Sequence, residues 1–209
     1  MAENTPLGSI LLASGSPRRR ELLDQIGVAY RVLSAGIDES VRPGEDPETY
    51  TCRIAQEKVL AAKARRAPGE IVLGADTAVV LGEQMQGKQM LGKPGDEAGA
   101  MEMLRALSGR THEVYTAVAV LDPRDVLDVL LNVSEVSFAE LDDAWIQAYV
   151  ATGEPMDKAG GYGIQGWAGC QIRRVSGSYS SIMGLPLYET SQLLAKAGLR
   201  LPQIPCREA

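Results

Sequence analysis

Histidine is nearly absent from this chain: His112 is the only one in 209 residues. A histidine-ligated metal centre or a Ser-His-Asp triad would hang on that single side chain. Cysteine is scarce as well. Cys52, Cys170 and Cys206 are odd in number and far apart, which argues against a disulfide framework and against a Cys-type zinc site. The cytoplasm is the default compartment for such a chain. No apolar run approaches the length of about eighteen residues that a transmembrane helix needs. The start, "MAENTPLGS", lacks the basic and apolar regions of a signal peptide, so no membrane association is expected. Positive charge is in deficit, with 21 Lys and Arg against 27 Asp and Glu and a net charge of −6. That balance argues against a general nucleic-acid binder, which needs a broad basic surface. A small anionic ligand needs only a local cluster of cations.

Such a cluster is present in "SILLASGSPRRRELL", residues 9–23. The apolar run reads as a short buried strand, and the helix after it starts at Pro17 and closes at Gly27. Ser16 is the expected N-cap. Amides in a first helical turn lack intrahelical partners, and the helix dipole favours an anion there. Arginines at that end oppose the dipole by roughly 0.3–1 kcal/mol each. A bound polyanion explains them better than three solvated surface arginines do, because Arg forks well onto phosphate oxygens.

Strands and helices alternate along the rest of the chain, which predicts a mixed α/β domain with a cleft between lobes. "YRVLSA" reads as a strand, and a long helix is expected from about Pro47 to Arg66. "EIVLGADTAVVLG" reads as two strand segments hinged at Gly-Ala-Asp-Thr, which puts Asp76 at a strand end. "GKQMLGKPGD" reads as loop, and a helix follows from about Asp96 to Leu107. Two apolar runs around Pro123 and Arg124 predict a long β-hairpin. Asp142 is placed to cap the helix "DAWIQAYVAT". The strand "CQIRRV" and a last helix from about Pro186 to Ala197 complete the order. One domain is expected over residues 1–209, with flexible tails at 1–8 and 200–209.

Asp76 at a strand end could bind Mg²⁺ or orient a water, or be an ordinary turn aspartate. Asp38 and Glu39 in "IDES" offer a second carboxylate, or a polar loop exposed to water. "GYGIQG", residues 161–166, matches the dinucleotide fingerprint in spacing only, because it neither follows a strand nor opens a helix. A glycine-rich loop that brings Gln165 close to a ligand is the better functional reading, with plain turn chemistry as its rival. His112, at the start of a β-run, reads as structural.

The segments "LASGSPRRRELL", "EKVLAAKA", "GADTAVVL", "LGKP", "LSGRTHEVYTAVAV" and "GEPMDKAGGYGIQG" together resemble the Maf family of nucleoside triphosphate pyrophosphatases, over about residues 10 to 198. The resemblance implies a mixed sheet with flanking helices and a central cleft, related to inosine triphosphate pyrophosphatase. It implies cleavage of a nucleoside triphosphate between the α- and β-phosphates, with Mg²⁺ or Mn²⁺ as the divalent cation. Ser14, Arg18, Arg19, Lys58 and Lys93 match positions that hold phosphates. Asp76 matches the proton acceptor, and Glu39 an acidic position near the metal and attacking water. Arg18 in "SPRR", Thr77 in "GADT" and Gln165 in "GIQG" side with the dTTP/UTP branch, whereas the 7-methyl-GTP branch resembles "SPWR", "GSDQ" and "SEG". Gly92 departs from the branch pattern, where many members carry Glu. The amide of Gln165 offers an acceptor and a donor that suit the edge of thymine or uracil. The rival readings are the same reaction on 7-methyl-GTP or another modified nucleotide, and a non-catalytic nucleotide-binding regulator of septum formation. By the same resemblance a homodimer is the expected partner state.

Overall fold

The computed structural model describes residues 9–34, 36–82, 88–199 and 201. The tails expected at 1–8 and 200–209 fall outside these residues, Leu201 excepted. In chain order the elements are β1 (Ile10–Leu12), α1 (Pro17–Gln25), β2 (Tyr30–Val32), α2 (Pro47–Lys63), β3 (Ile71–Leu81) and β4 (Gln89–Leu91). They continue with α3 (Glu97–Leu107), β5 (Thr111–Leu121), β6 (Leu127–Phe138), α4 (Asp143–Ala151), β7 (Ile172–Ser176), α5 (Tyr179–Met183) and α6 (Leu187–Lys196). Short 3-10 turns fill the stretch between α4 and β7.

One mixed sheet organises the chain, in the order β2-β1-β3-β5-β6-β7. β2, β1 and β3 run parallel, and parallel neighbours need crossovers, which α1 and α2 supply. β3, β5, β6 and β7 run antiparallel, joined in part by the long hairpin expected around Pro123. Both faces of the sheet are covered. On one, Leu11, Val72, Ala117 and Ala119 pack against Ala55 and Val59 of α2. On the other, Leu12, Leu73, Val118 and Val120 meet apolar residues of α1, α3, α4 and α6. This two-sided burial is why the central strands read as near-continuous apolar runs. Asp46, Asp96 and Asp142 each cap a helix through the side chain, as expected for Asp142.

Three expectations need correction. The hinge at Gly-Ala-Asp-Thr does not exist: residues 71–81 form one unbroken strand. Gly74 keeps its pairing with Ala119 and Asp76 its pairing with Ala117, so Asp76 lies mid-strand. Gly74 lacks a side chain because α2 presses on it. A Cβ there would lie 2.8 Å from Val59 Cγ2 and 2.9 Å from the Ala55 carbonyl oxygen. The loop "GKQMLGKPGD" contains a short strand, β4. α2 ends at Lys63 rather than Arg66, because the Arg65 and Arg66 amides donate to the Ala62 and Lys63 carbonyls three residues back and so form a tighter turn instead of continuing the helix.

The sheet splits along one edge of β3. β1 pairs with residues 71–73 and β4 with residues 79–81, both on the edge opposite β5. Between them, Gly74 to Ala78 have no strand partner on that edge among the described residues. The split is the floor of a cleft, and Asp76 sits in its middle.

Candidate active site

The cleft has a volume of about 620 Å³. It is lined by the β1–α1 turn, the loop before α2, Tyr50 and Lys58 of α2, the middle of β3, the β4 end, the glycine-rich stretch after α4 and the end of α5. Five cations, Arg18, Arg19, Lys58, Lys93 and Lys158, face three carboxylates, Glu39, Asp76 and Asp157. A chain of net charge −6 thus concentrates positive charge in this one cleft.

Lys58 is the centre of the acidic group. It projects from α2 across the cleft floor, and its Nζ lies 2.7 Å from Asp76 Oδ1 and 2.9 Å from Glu39 Oε1. Asp76 is 6% exposed, Lys58 9%. Burial pushes the Asp76 carboxyl above the usual carboxylate range, while the charges of Lys58 and Arg19 pull against that shift. Glu39 comes from the loop before α2 and is half exposed. The Tyr50 hydroxyl anchors that loop by donating to the Glu39 carbonyl at 3.0 Å.

The three consecutive arginines separate in space. Arg19 is buried and braced: its Nε donates to the Gly184 carbonyl at 2.8 Å and its Nη1 to Ser14 Oγ at 2.9 Å. Its Nη2 lies 3.4 Å from Thr77 Oγ1, which also accepts from Thr116. Arg18 reaches over the cleft to Asp157 at 3.2 Å. Arg20 points to solvent. Ser16 does not cap α1 with its side chain. Instead Ser14 Oγ accepts from the Ser16 amide at 3.2 Å, while also accepting from Arg19. No acidic side chain sits in the first turn of α1. An incoming anion therefore meets no competing carboxylate from that turn.

Lys93 is exposed on the cleft wall, with no ion pair among the described residues. Gln165 is exposed on the opposing glycine-rich loop. The cleft thus gathers nine of the side chains singled out in the sequence; of the two carboxylates in "IDES", Glu39 lines it and Asp38 does not. His112 lies outside it, buried beneath Tyr162 with Nε2 2.7 Å from the phenol oxygen.

A match to the family of Maf-like proteins spans residues 9–197. The chain belongs to the Maf family. Among Maf relatives, a dTTP/UTP pyrophosphatase of Anaeromyxobacter dehalogenans (strain 2CP-C) is 53% identical over 196 residues, covering 92% of this chain and 96% of that protein. A dTTP/UTP pyrophosphatase of Escherichia coli O157:H7 is 50% identical over 187 residues, covering 90% of this chain and 92% of that protein. Among solved structures, a HAM1 protein from Coxiella burnetii overlaps in part, with a TM-score of 0.42, 18% identity and coverage of 65% and 75% of the two chains.

Within this Maf cleft, sequence reasoning passed over Tyr50, Asp157 and Lys158. The last two stand in "GEPMDKAGG", where their adjacency to the glycine-rich loop was the available signal. Lys158 Nζ is 2.6 Å from Asp157 Oδ1, so Asp157 ties Arg18 to Lys158. Among the described residues no three His, Cys, Asp or Glu side chains gather to hold a metal. Asp76 and Glu39 nevertheless converge on one nitrogen, Lys58 Nζ, and supply two hard oxygen donors. That donor set fits a divalent cation of the Mg²⁺ type, which takes one or two carboxylates and completes its shell with substrate phosphates and water.

Proposed function

We propose that this chain is a nucleoside triphosphate pyrophosphatase that hydrolyses dTTP and UTP to the monophosphate and pyrophosphate. The observation that carries the reading is the buried Asp76–Lys58 pair at the split in the sheet, set among cations within one cleft. Relatives that are 50–53% identical over at least nine-tenths of the chain bear that activity in their names, which supports the same reaction here. In this reading Arg18, Lys58, Lys93 and the first-turn amides of α1 hold the phosphate tail and neutralise the leaving pyrophosphate. Arg19, Ser14 and Thr77 form the wall that fixes the α1 turn against β3. Asp76 orients a water for attack at the α-phosphorus and accepts its proton, as the bond to the β-phosphate oxygen breaks. A free aspartate, with pKa about 3.9, is a weak base at neutral pH. Burial shifts Asp76 in the direction a base requires.

Mg²⁺ or Mn²⁺, held by Asp76 and Glu39, would supply charge neutralisation and a more acidic bound water. Gln165 would meet the pyrimidine edge, whose ring N–H and carbonyl match an amide. A site built on such hydrogen bonds rejects a base lacking them by about 10⁴-fold. The reading also carries a cytoplasmic location.

Pyrophosphate release from dTTP, UTP and 7-methyl-GTP, with Mg²⁺ or Mn²⁺ added, tests it. We expect dTTP and UTP to be preferred. Asp76→Asn should reduce turnover by a factor of about 10³ or more, in line with loss of a principal electrostatic or proton-accepting group, while thermal melting stays cooperative. No pyrophosphate from any of the three nucleotides, or an Asp76→Asn enzyme that works at the wild-type rate, would refute it.

A further inference from the structure

The turn that carries Gln165 is closed over one carboxylate that the reaction scheme leaves unused. Gly166 N donates to the Gly163 carbonyl at 3.1 Å, so residues 163–166 form a tight turn with Gln165 near its tip. The amides on either side of Ile164-Gln165-Gly166 both lead to Glu154. Trp167 N donates directly to Glu154 Oε2 at 3.2 Å. Gly163 N donates to the Tyr149 hydroxyl at 3.2 Å, and that hydroxyl donates to Glu154 Oε1 at 2.9 Å. Tyr149 is 3% exposed, and burial raises its pKa, so the phenol keeps the proton that the relay needs.

The two glycines of the turn face this carboxylate. A Cβ on Gly166 would overlap the Glu154 carboxylate, and one on Gly163 would lie 3.1 Å from Glu154 Oε1 and 2.9 Å from Lys158 Cε. The glycines that suggested close approach of a ligand instead make room for Glu154. The Gly163–Gly166 bond and the burial of Ile164 in the core shape the turn, but Gln165 at its tip makes no side-chain hydrogen bond among the described residues. A charged acceptor holding both ends of the turn supplies a further constraint.

We propose that Glu154, with Tyr149 as its relay, is the positioning residue for base selection: it clamps the 163–166 turn so that Gln165 meets the base in one orientation. The inference rests on the reading of Gln165 as the residue that meets the pyrimidine. Glu154 touches no substrate, so its influence on selection passes through the turn. Loosening a recognition group by about 1 Å costs up to roughly a hundredfold.

The test is a double-mutant cycle read as the ratio of kcat/KM for dTTP to that for dCTP, two nucleotides that differ mainly at the base edge. Gln165→Ala should lower the ratio by about tenfold or more. Glu154→Ala should lower it by roughly tenfold, chiefly by raising KM for dTTP. Glu154→Gln, which keeps the volume and one acceptor oxygen, should fall between Glu154→Ala and wild type. In the Gln165→Ala background, Glu154→Ala should cause no further loss, which a general destabilisation would not reproduce. If Glu154→Ala does not fold, Tyr149→Phe removes only the relayed bond and should lower the ratio in the same sense. A Gln165→Ala enzyme with unchanged selectivity would overturn the base reading and this inference together. Lost selectivity in Gln165→Ala beside wild-type selectivity in the Glu154 variants would overturn the clamp alone. Losses that multiply in the double variant would also overturn it.

Discussion

Arg18 and Arg19 are neighbours in sequence with opposite surroundings, and the difference decides what each can do. Arg19 is 8% exposed and spans three acceptors, the Gly184 carbonyl, Ser14 Oγ and Thr77 Oγ1. Only a planar fork reaches all three at once; an ammonium is a point donor. Burial lowers the Arg19 pKa, and the nearby Asp76 charge opposes that shift, so the guanidinium stays cationic. Arg18 holds a single exposed partner, Asp157. An incoming phosphate can take that partner's place without breaking the fold. Arg19→Lys should therefore cost roughly 1.5–3 kcal/mol of stability in urea denaturation, the scale of a lost charged hydrogen bond, and lower kcat/KM with it. Arg18→Lys should raise KM while leaving the urea midpoint within experimental error. Equal stability losses in the two variants would mean that the geometry around Arg19 is not what holds α1 to β3.

At the scale of elements, β3 and α2 work as a pair. α2 supplies Lys58, β3 supplies Asp76, and Gly74 sets how closely the two elements approach. A Cβ at position 74 meets backbone at the Ala55 carbonyl and lies 3.4 Å from Lys58 Cβ. Backbone cannot step aside as a flexible side chain can, so Gly74→Ala must push α2 away from the strand. Overpacking of this kind costs about 1–3 kcal/mol, and here it also lengthens the Lys58–Asp76 contact. We expect Gly74→Ala to lower both the melting temperature and kcat; an unchanged kcat in a destabilised variant would separate packing from catalysis. This pair also shows what the sequence does and does not reveal. The strands and helices were legible because apolar runs and helix caps are local signals. The arginine cluster was legible because cations oppose the dipole at a helix N-terminus; Lys58, Lys93 and the role of Asp76 were legible only through the resemblance to family motifs. The split edge of β3 was not legible, because it depends on two three-residue strands pairing at opposite ends of one long strand. A glycine in "GADT" looks the same in a hinge as in a strand pressed by a helix, and the hinge was the wrong choice. Ser16 carries the composition of a cap, yet its side chain makes no cap hydrogen bond; the bond to Ser14 engages only the Ser16 amide and leaves the first-turn amides of α1 uncapped by Ser16. The Glu154 clamp was hidden for a similar reason: its partners are spread from Tyr149 to Trp167 and meet only after folding.

For the whole molecule, the one histidine links stability to pH. His112 is 2% exposed, stacked near Phe138 and joined to Tyr162, and its Nδ1 has no hydrogen-bond partner among the described residues. No carboxylate faces it to favour the imidazolium, so burial alone pushes its pKa down from 6.5 to about 4. The unfolded chain therefore binds a proton at a pH where the folded chain does not. The stabilising contribution is present above pH 6.5 and is lost as the pH falls towards 4. The shift corresponds to roughly 3 kcal/mol over that window, at about 1.4 kcal/mol per unit. Carboxylates also titrate there, so the wild-type curve by itself does not isolate the histidine. His112→Gln removes the titration and leaves the carboxylates in place. Its stability at pH 7 should be lower, because the ring packing is lost, yet its urea stability should fall less steeply between pH 6.5 and 4.5. The two curves should approach each other as the pH drops, followed by the fluorescence of Trp145 and Trp167 at low protein concentration. Parallel curves would mean that water reaches His112 in the folded protein and that the ring titrates there as it does in the unfolded chain.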